Sequence, residues 1–70
     1  MASSITLRLN GELQPAAPDQ TLLSLLEQLH EPIDKAVVEH NGRFVRRNDL
    51  GNVTLSDGDR VEVILPAFGG

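Results

Sequence analysis

The 70-residue chain has no cysteine, tryptophan or tyrosine, and its only aromatic residues are two phenylalanines. Without cysteine it forms neither a disulfide nor a thiolate metal site, and it carries no thiol nucleophile or persulfide. That absence suits a reducing compartment. With so few aromatics, the core must be aliphatic, built from Leu, Val and Ile. Basic residues are also scarce, six Lys and Arg against ten Asp and Glu, for a formal net charge of -4. A nucleic-acid binder needs a basic face to displace counterions, so the charge balance argues against that class. No apolar run approaches the ~20 residues that a bilayer-spanning helix requires. Met1-Ala2-Ser3-Ser4 leads directly into a strand-like run without the basic and apolar regions of a leader. The expectation is a cytoplasmic protein that engages neither nucleic acid nor membrane.

What is present fits one domain spanning residues 1–70, since a chain this short has room for a single core. Ile5-Thr6-Leu7-Arg8-Leu9 alternates apolar and polar, the pattern of a strand buried on one face. Asn10-Gly11 signals a tight hairpin, because a type I′ turn needs positive φ at both central positions. A short second strand, Glu12-Leu13-Gln14, is expected to stop at Pro15. Thr21 can cap a helix running to about His30, with Leu22, Leu25, Leu26 and Leu29 on one stripe and Pro32 closing it. A second Asn-Gly pair, Asn41-Gly42, joins strands Ala36–His40 and Arg43–Arg46. Arg47–Asn52 reads as irregular with room for one helical turn, Val53-Thr54-Leu55 as extended, and Asp57-Gly58-Asp59 as a turn. The last strand, Arg60–Leu65, places Val61, Val63 and Leu65 on one face and Arg60, Glu62 and Ile64 on the other. The leucine stripe can be covered only by a sheet shared between the two hairpins. The fold class is therefore α+β, a mixed sheet of four to five strands with one helix on one face.

Candidate chemistry inside this domain is thin. His30 and His40 have no third metal ligand at useful spacing and read as surface residues. Asp57 and Asp59 lack the further oxygen ligands of a calcium loop. Arg43, Arg46, Arg47 and Arg60, four of the six basic residues, could share one side of the sheet and dock an acidic partner, or simply form a solvated face. There is no phosphate-binding glycine loop and no Ser-His-Asp grouping, which argues against an autonomous enzyme and leaves catalytic and metal sites unassigned. The sheet face away from the helix would carry Ile64 with Phe44 or Val37, a modest apolar patch of the kind that marks a partner site. The sequence closes on Pro66-Ala67-Phe68-Gly69-Gly70, an extended tail at 66–70. Its diglycine is compatible with a loose end and equally with a thin, side-chain-free segment able to approach another surface closely.

Several of these features together resemble the ThiS family of sulfur carrier proteins of thiamine biosynthesis, within the ubiquitin-like β-grasp superfamily. They are the strand into Asn10-Gly11-Glu12, Thr21-Leu22 before Leu25-Leu26-Glu27-Gln28-Leu29, and Ala36-Val37-Val38-Glu39 with Asn41-Gly42. Arg47, Leu55 before Asp57-Gly58-Asp59-Arg60-Val61-Glu62, and the closing Gly69-Gly70 complete the set. The resemblance implies a β-grasp fold and a carrier that is a substrate of other enzymes. Gly70 would be adenylated by a ubiquitin-activating-like adenylyltransferase using ATP and Mg²⁺, with no cofactor held by the carrier itself. Sulfur from a cysteine desulfurase or related source would then convert the carboxylate to a thiocarboxylate, which thiazole synthase consumes. Gly69 and Phe68 would enter a partner's active site, and Ile64, Phe44 and Arg47 would supply a partner surface. Three other readings share the fold: the small subunit of molybdopterin synthase, a ubiquitin-like protein modifier, and a binding module with an inert tail.

Overall fold

The computed structural model describes residues 4–66. Five strands form one sheet: β1 (Ile5–Leu9), β2 (Glu12–Ala16), β3 (Val37–His40), β4 (Arg43–Val45) and β5 (Arg60–Ile64). Their order across the sheet is β2-β1-β5-β3-β4. β1 and β5 run parallel, and every other neighbouring pair is antiparallel. The helix α1 (Leu22–Gln28) follows the first hairpin, and a 3-10 helix (Arg47–Asn52) follows the second. This is the expected α+β, β-grasp arrangement, with five strands and the last one in the middle. Among the described residues no helix is long and apolar enough to cross a membrane.

The core consists of Leu7, Ala16, Leu22, Leu25, Leu26, Val38, Leu50, Leu55 and Val61, with Leu29 half-buried at its margin. Alternation on β1 and β5 and the helical stripe account for most of it. Leu50 and Leu55 come from segments without periodicity. Leu50 is carried in by the 3-10 helix packed against α1. Leu55 is brought in where Leu22 N donates to Val53 O and Leu55 N donates to Gln20 O.

The boundaries shift where local chemistry outweighs pattern. β2 continues through Pro15 to Ala16 instead of stopping at Gln14. Pro15 stands opposite Thr6, and Thr6 directs its N–H to Asp57 Oδ1 and its carbonyl to Gly58 N, away from β2. This is a non-hydrogen-bonded pair on an edge strand, so the nitrogen of Pro15 faces the open edge where no donor is required.

α1 ends at Gln28, two residues earlier than expected, because His30 turns left-handed with φ of 59°. His30 N donates to Glu27 O and Glu31 N to Leu26 O, the two bonds of a Schellman closure, in which this position usually holds glycine. β5 ends at Ile64, so Leu65 leaves the alternation and is 57% exposed rather than continuing the Val61 face. The four arginines do not share a side. Arg43 stands opposite His40, and His40 opposite the buried Val61, whereas Arg60 is one residue out of step and lies on the other face.

Candidate functional site: the tail exit and the open sheet face

The tail is the direct continuation of β5, the middle strand. Two asparagines fix that strand from both sides. Asn10 and Asn41 each take a φ of 52° and are followed by Gly11 and Gly42 at 85° and 83°, the paired positive angles of a type I′ hairpin. Each asparagine then reaches across to β5. Asn10 N donates to Val61 O, and Asn10 Oδ1 accepts from Val63 N. Asn41 N donates to Arg60 O, and Asn41 Oδ1 accepts from Arg60 N. The turn signal was legible in the sequence, but this second use of the side chains requires knowing that β5 lies between the hairpins.

At the start of β5 a polar cluster locks the second hairpin to the Ser56–Asp59 turn. Asp59 Oδ2 accepts from Ser56 N at 2.9 Å and from His40 Nε2 at 2.8 Å, and its Oδ1 accepts from Asn41 Nδ2 at 3.1 Å. Burial pushes the Asp59 carboxyl up, but the bonds from His40, Ser56 and Asn41 outweigh it and hold the group below its ordinary value of 3.8. His40 is thus half-buried and paired, not the surface residue expected from the sequence. Nineteen positions separate it from Asp59, and nothing local announces the pairing. A His–Asp pair can serve as an acid–base unit, but β5 rises about 3.3 Å per residue. The cluster therefore sits on the order of 16 Å from the end of the strand where the tail leaves. Its role is to hold the fold.

The sheet face opposite α1 is open to solvent. Ile64 is 42% exposed and Phe44 63% exposed. They lie on the same face, joined through β3, where Val37 stands opposite Ile64 and Glu39 opposite Phe44. Arg47 is exposed at the first position of the 3-10 helix, off the sheet itself. It shares with Phe44 and Val37 the lining of a shallow recess of about 390 Å³ at the end of the sheet from which the tail departs. A wider groove of about 800 Å³ between β2 and α1 involves Pro15, Gln20 and Gln28. It lies where β2 ends and β5 begins, at the far end from the tail, and Gln20 Nε2 already donates to Gln28 Oε1 within it. The structure thus gathers the three expected surface residues near the tail exit. Gly70, Gly69 and Phe68 lie outside the described residues.

A family model described as the ThiS family matches residues 7–70. Among solved structures, the chain is similar to the crystal structure of a thiamine biosynthesis protein (ThiS) from Geobacter metallireducens. The identity is 29% and the TM-score 0.83, over 94% of this chain and 100% of that one. It is also similar to a protein–protein complex of subunits 1 and 2 of molybdopterin-converting factor from Helicobacter pylori. There the identity is 20% and the TM-score 0.60, over 97% and 100% of the two chains, a likeness of fold alone. The N-terminal ubiquitin-like domain of the 4931431F19Rik protein shares the fold at 16% identity and a TM-score of 0.55, over 99% of this chain and 79% of that one. A comparison with curated protein sequences finds no match.

Proposed function

This chain belongs to the ThiS family, the sulfur carriers of thiamine biosynthesis, and we propose that it carries sulfur on the carboxylate of Gly70. A carboxylate is a poor electrophile until its oxygen is given a better leaving group. One oxygen of Gly70 attacks the α-phosphorus of ATP on a ubiquitin-activating-like adenylyltransferase, and pyrophosphate departs with Mg²⁺ held by that enzyme. Sulfide, released when a thiol reductant cleaves the persulfide supplied by a cysteine desulfurase or related source, then attacks the acyl carbon and displaces AMP. The resulting thiocarboxylate is an anionic nucleophile that thiazole synthase consumes in building the thiazole of thiamine. The carrier contributes no catalytic group and holds no cofactor. With no cysteine in the chain, no internal thiol competes for the activated acyl group.

The observation that carries this reading is the position of β5. The segment leading to Gly69-Gly70 grows from the middle strand of the sheet, tied to both hairpins by Asn10 and Asn41. Beyond Ile64 the six remaining residues can span up to about 20 Å when extended, and Gly69 and Gly70 add no side chain to obstruct a narrow channel. Phe68 supplies an apolar anchor within that channel, while Ile64, Phe44 and Arg47 meet the enzyme surface around its mouth.

The test is intact-mass analysis after incubation with the activating enzyme, ATP and a sulfur source. The expected result is a mass change equal to replacing one oxygen by sulfur, absent from a variant lacking Gly70. An unchanged mass with a competent enzyme present refutes the carrier role. Gly69→Val is expected to fold normally and to resist activation; normal activation of that variant refutes the threading argument.

A further inference from the structure

The open face of the sheet carries two pairs of like charges set directly opposite one another. Glu39 on β3 faces Glu62 on β5 across an antiparallel pair, and Arg8 on β1 faces Arg60 on β5 across the parallel pair. Like charges in direct cross-strand register destabilise a sheet. Among the described residues neither pair has an opposite charge within salt-bridge distance, although Arg60 shares a small recess with Glu39 and Glu62 and an Arg8 guanidinium nitrogen donates to Gly11 O. The one basic–acidic contact within salt-bridge distance among the described residues is His40 Nε2 with Asp59 Oδ2, on the helix side. Along β5 toward the tail the open face therefore reads basic at Arg60, acidic at Glu62 and apolar at Ile64.

We propose that these two pairs set the direction and register in which the carrier docks on the enzyme that activates Gly70, an inference that rests on the reading above. The partner surface places a guanidinium or ammonium between Glu39 and Glu62 and a carboxylate against Arg8 and Arg60. Apolar surface covers Ile64 and Phe44. A cation between two carboxylates gains from both, and the adjoining apolar cover strengthens each interaction by excluding water. The order of signs makes the contact directional. Turning the partner end for end, or sliding it by one like-facing position along β5, sets like charge against like and is penalised. The correct register delivers the tail to the channel.

The experiment uses the activating enzyme purified from the same organism, with direct binding measured by calorimetry without ATP and activation measured by ATP–pyrophosphate exchange. The double variant Glu39→Gln with Glu62→Gln is expected to bind and to be activated about tenfold less well at low salt. The loss should appear in KM, with a flatter dependence on ionic strength. In the free carrier the same double variant is expected to melt about 2–4 °C higher, because the repulsion is gone. Glu27→Gln, which removes a charge from the exposed side of α1, is the control and should match the original chain in binding. Binding by the double variant within twofold of the original, or a loss no larger than that of Glu27→Gln, overturns the inference. An original chain that binds with this charge sensitivity but gives no pyrophosphate exchange refutes the carrier function and leaves the docking inference standing.

Discussion

Replacing Asn41 tests how the central strand is held. Its side chain makes two short hydrogen bonds, accepting from Arg60 N at 2.8 Å and donating to the Asp59 carboxylate at 3.1 Å, with Nδ2 also at the 3.5 Å limit from His40 Nε2. Asn41→Gly keeps the positive φ accessible and the backbone bond to Arg60 intact, so it removes those two bonds. A neutral bond of this kind is worth about 1 kcal/mol net and one to a charged group about 1.5–3 kcal/mol. Because Asn41 is exposed, water replaces part of each, and about 2 kcal/mol is the expected loss. Asn41→Ala loses the same bonds and must also hold a Cβ in the left-handed region, adding about 1 kcal/mol. The matched variant Asn10→Gly removes a single side-chain bond, to Val63 N, and should cost about 1 kcal/mol.

A 70-residue domain has a total stability of only about 3.5–10 kcal/mol, so the Asn41 variants lie near the limit of folding. With neither tryptophan nor tyrosine in the chain, intrinsic fluorescence is a weak probe, and urea titration followed by far-UV circular dichroism is the suitable assay. At a slope of about 1 kcal/mol per molar urea, Asn41→Gly should lower the midpoint by roughly 2 M. The expected order of loss is Asn10→Gly, then Asn41→Gly, then Asn41→Ala. If Asn41→Gly costs no more than Asn10→Gly, the Asp59 bond is not contributing and the reasoning fails.

Acid should weaken the same corner. The Asp59 carboxyl lies below 3.8 in the folded protein, so its contribution is present above the unfolded value and fades as pH falls through the folded one. Urea midpoints measured from pH 5 to pH 2 should drop in that window, and Asp59→Asn should start lower and show a shallower fall. His30→Gly removes the strain of a side chain at φ of 59° and should raise stability by about 0.5 kcal/mol, after the greater freedom of glycine in the unfolded chain is offset; a lower melting temperature would contradict this. Leu26→Ala, at a fully buried position, should cost about 2–5 kcal/mol and leave much of the population unfolded by circular dichroism at 37 °C. Phe44→Ser, at a side chain 63% exposed, should melt within a few degrees of the original chain yet bind the activating enzyme more weakly. Equal binding would remove Phe44 from the docking surface.

Features carried by adjacent residues were legible in the sequence. Asn10-Gly11 and Asn41-Gly42 announce their turns, and the spacing of Leu22, Leu25 and Leu26 announces the buried helix face. Ile64 and Phe44 fall on the open face because strand alternation fixes them there. Features that depend on strand order were not legible. Pro15 breaks a strand only when its nitrogen points at a neighbour, and at this edge it points away. His40 and Asp59 meet because β3 and β5 are adjacent, a fact no local pattern contains. The opposed pairs Glu39–Glu62 and Arg8–Arg60 follow from register. A shift of one residue would have dissolved both, and composition is blind to it. Leu50 and Leu55 lie in segments without periodicity, where only the packing of the chain identifies them as core.

The central place of β5 also decides how the domain responds to being pulled. An enzyme that draws the tail into a channel applies force along the axis of β5. The hydrogen bonds to β1 and β3, and those of Asn10 and Asn41, run across that axis. They are loaded together, in shear. A tail leaving an edge strand would load a ladder on one side only, with half as many bonds to share the force. A pull on Pro66 along that axis would therefore be shared by the ladders on both sides of β5.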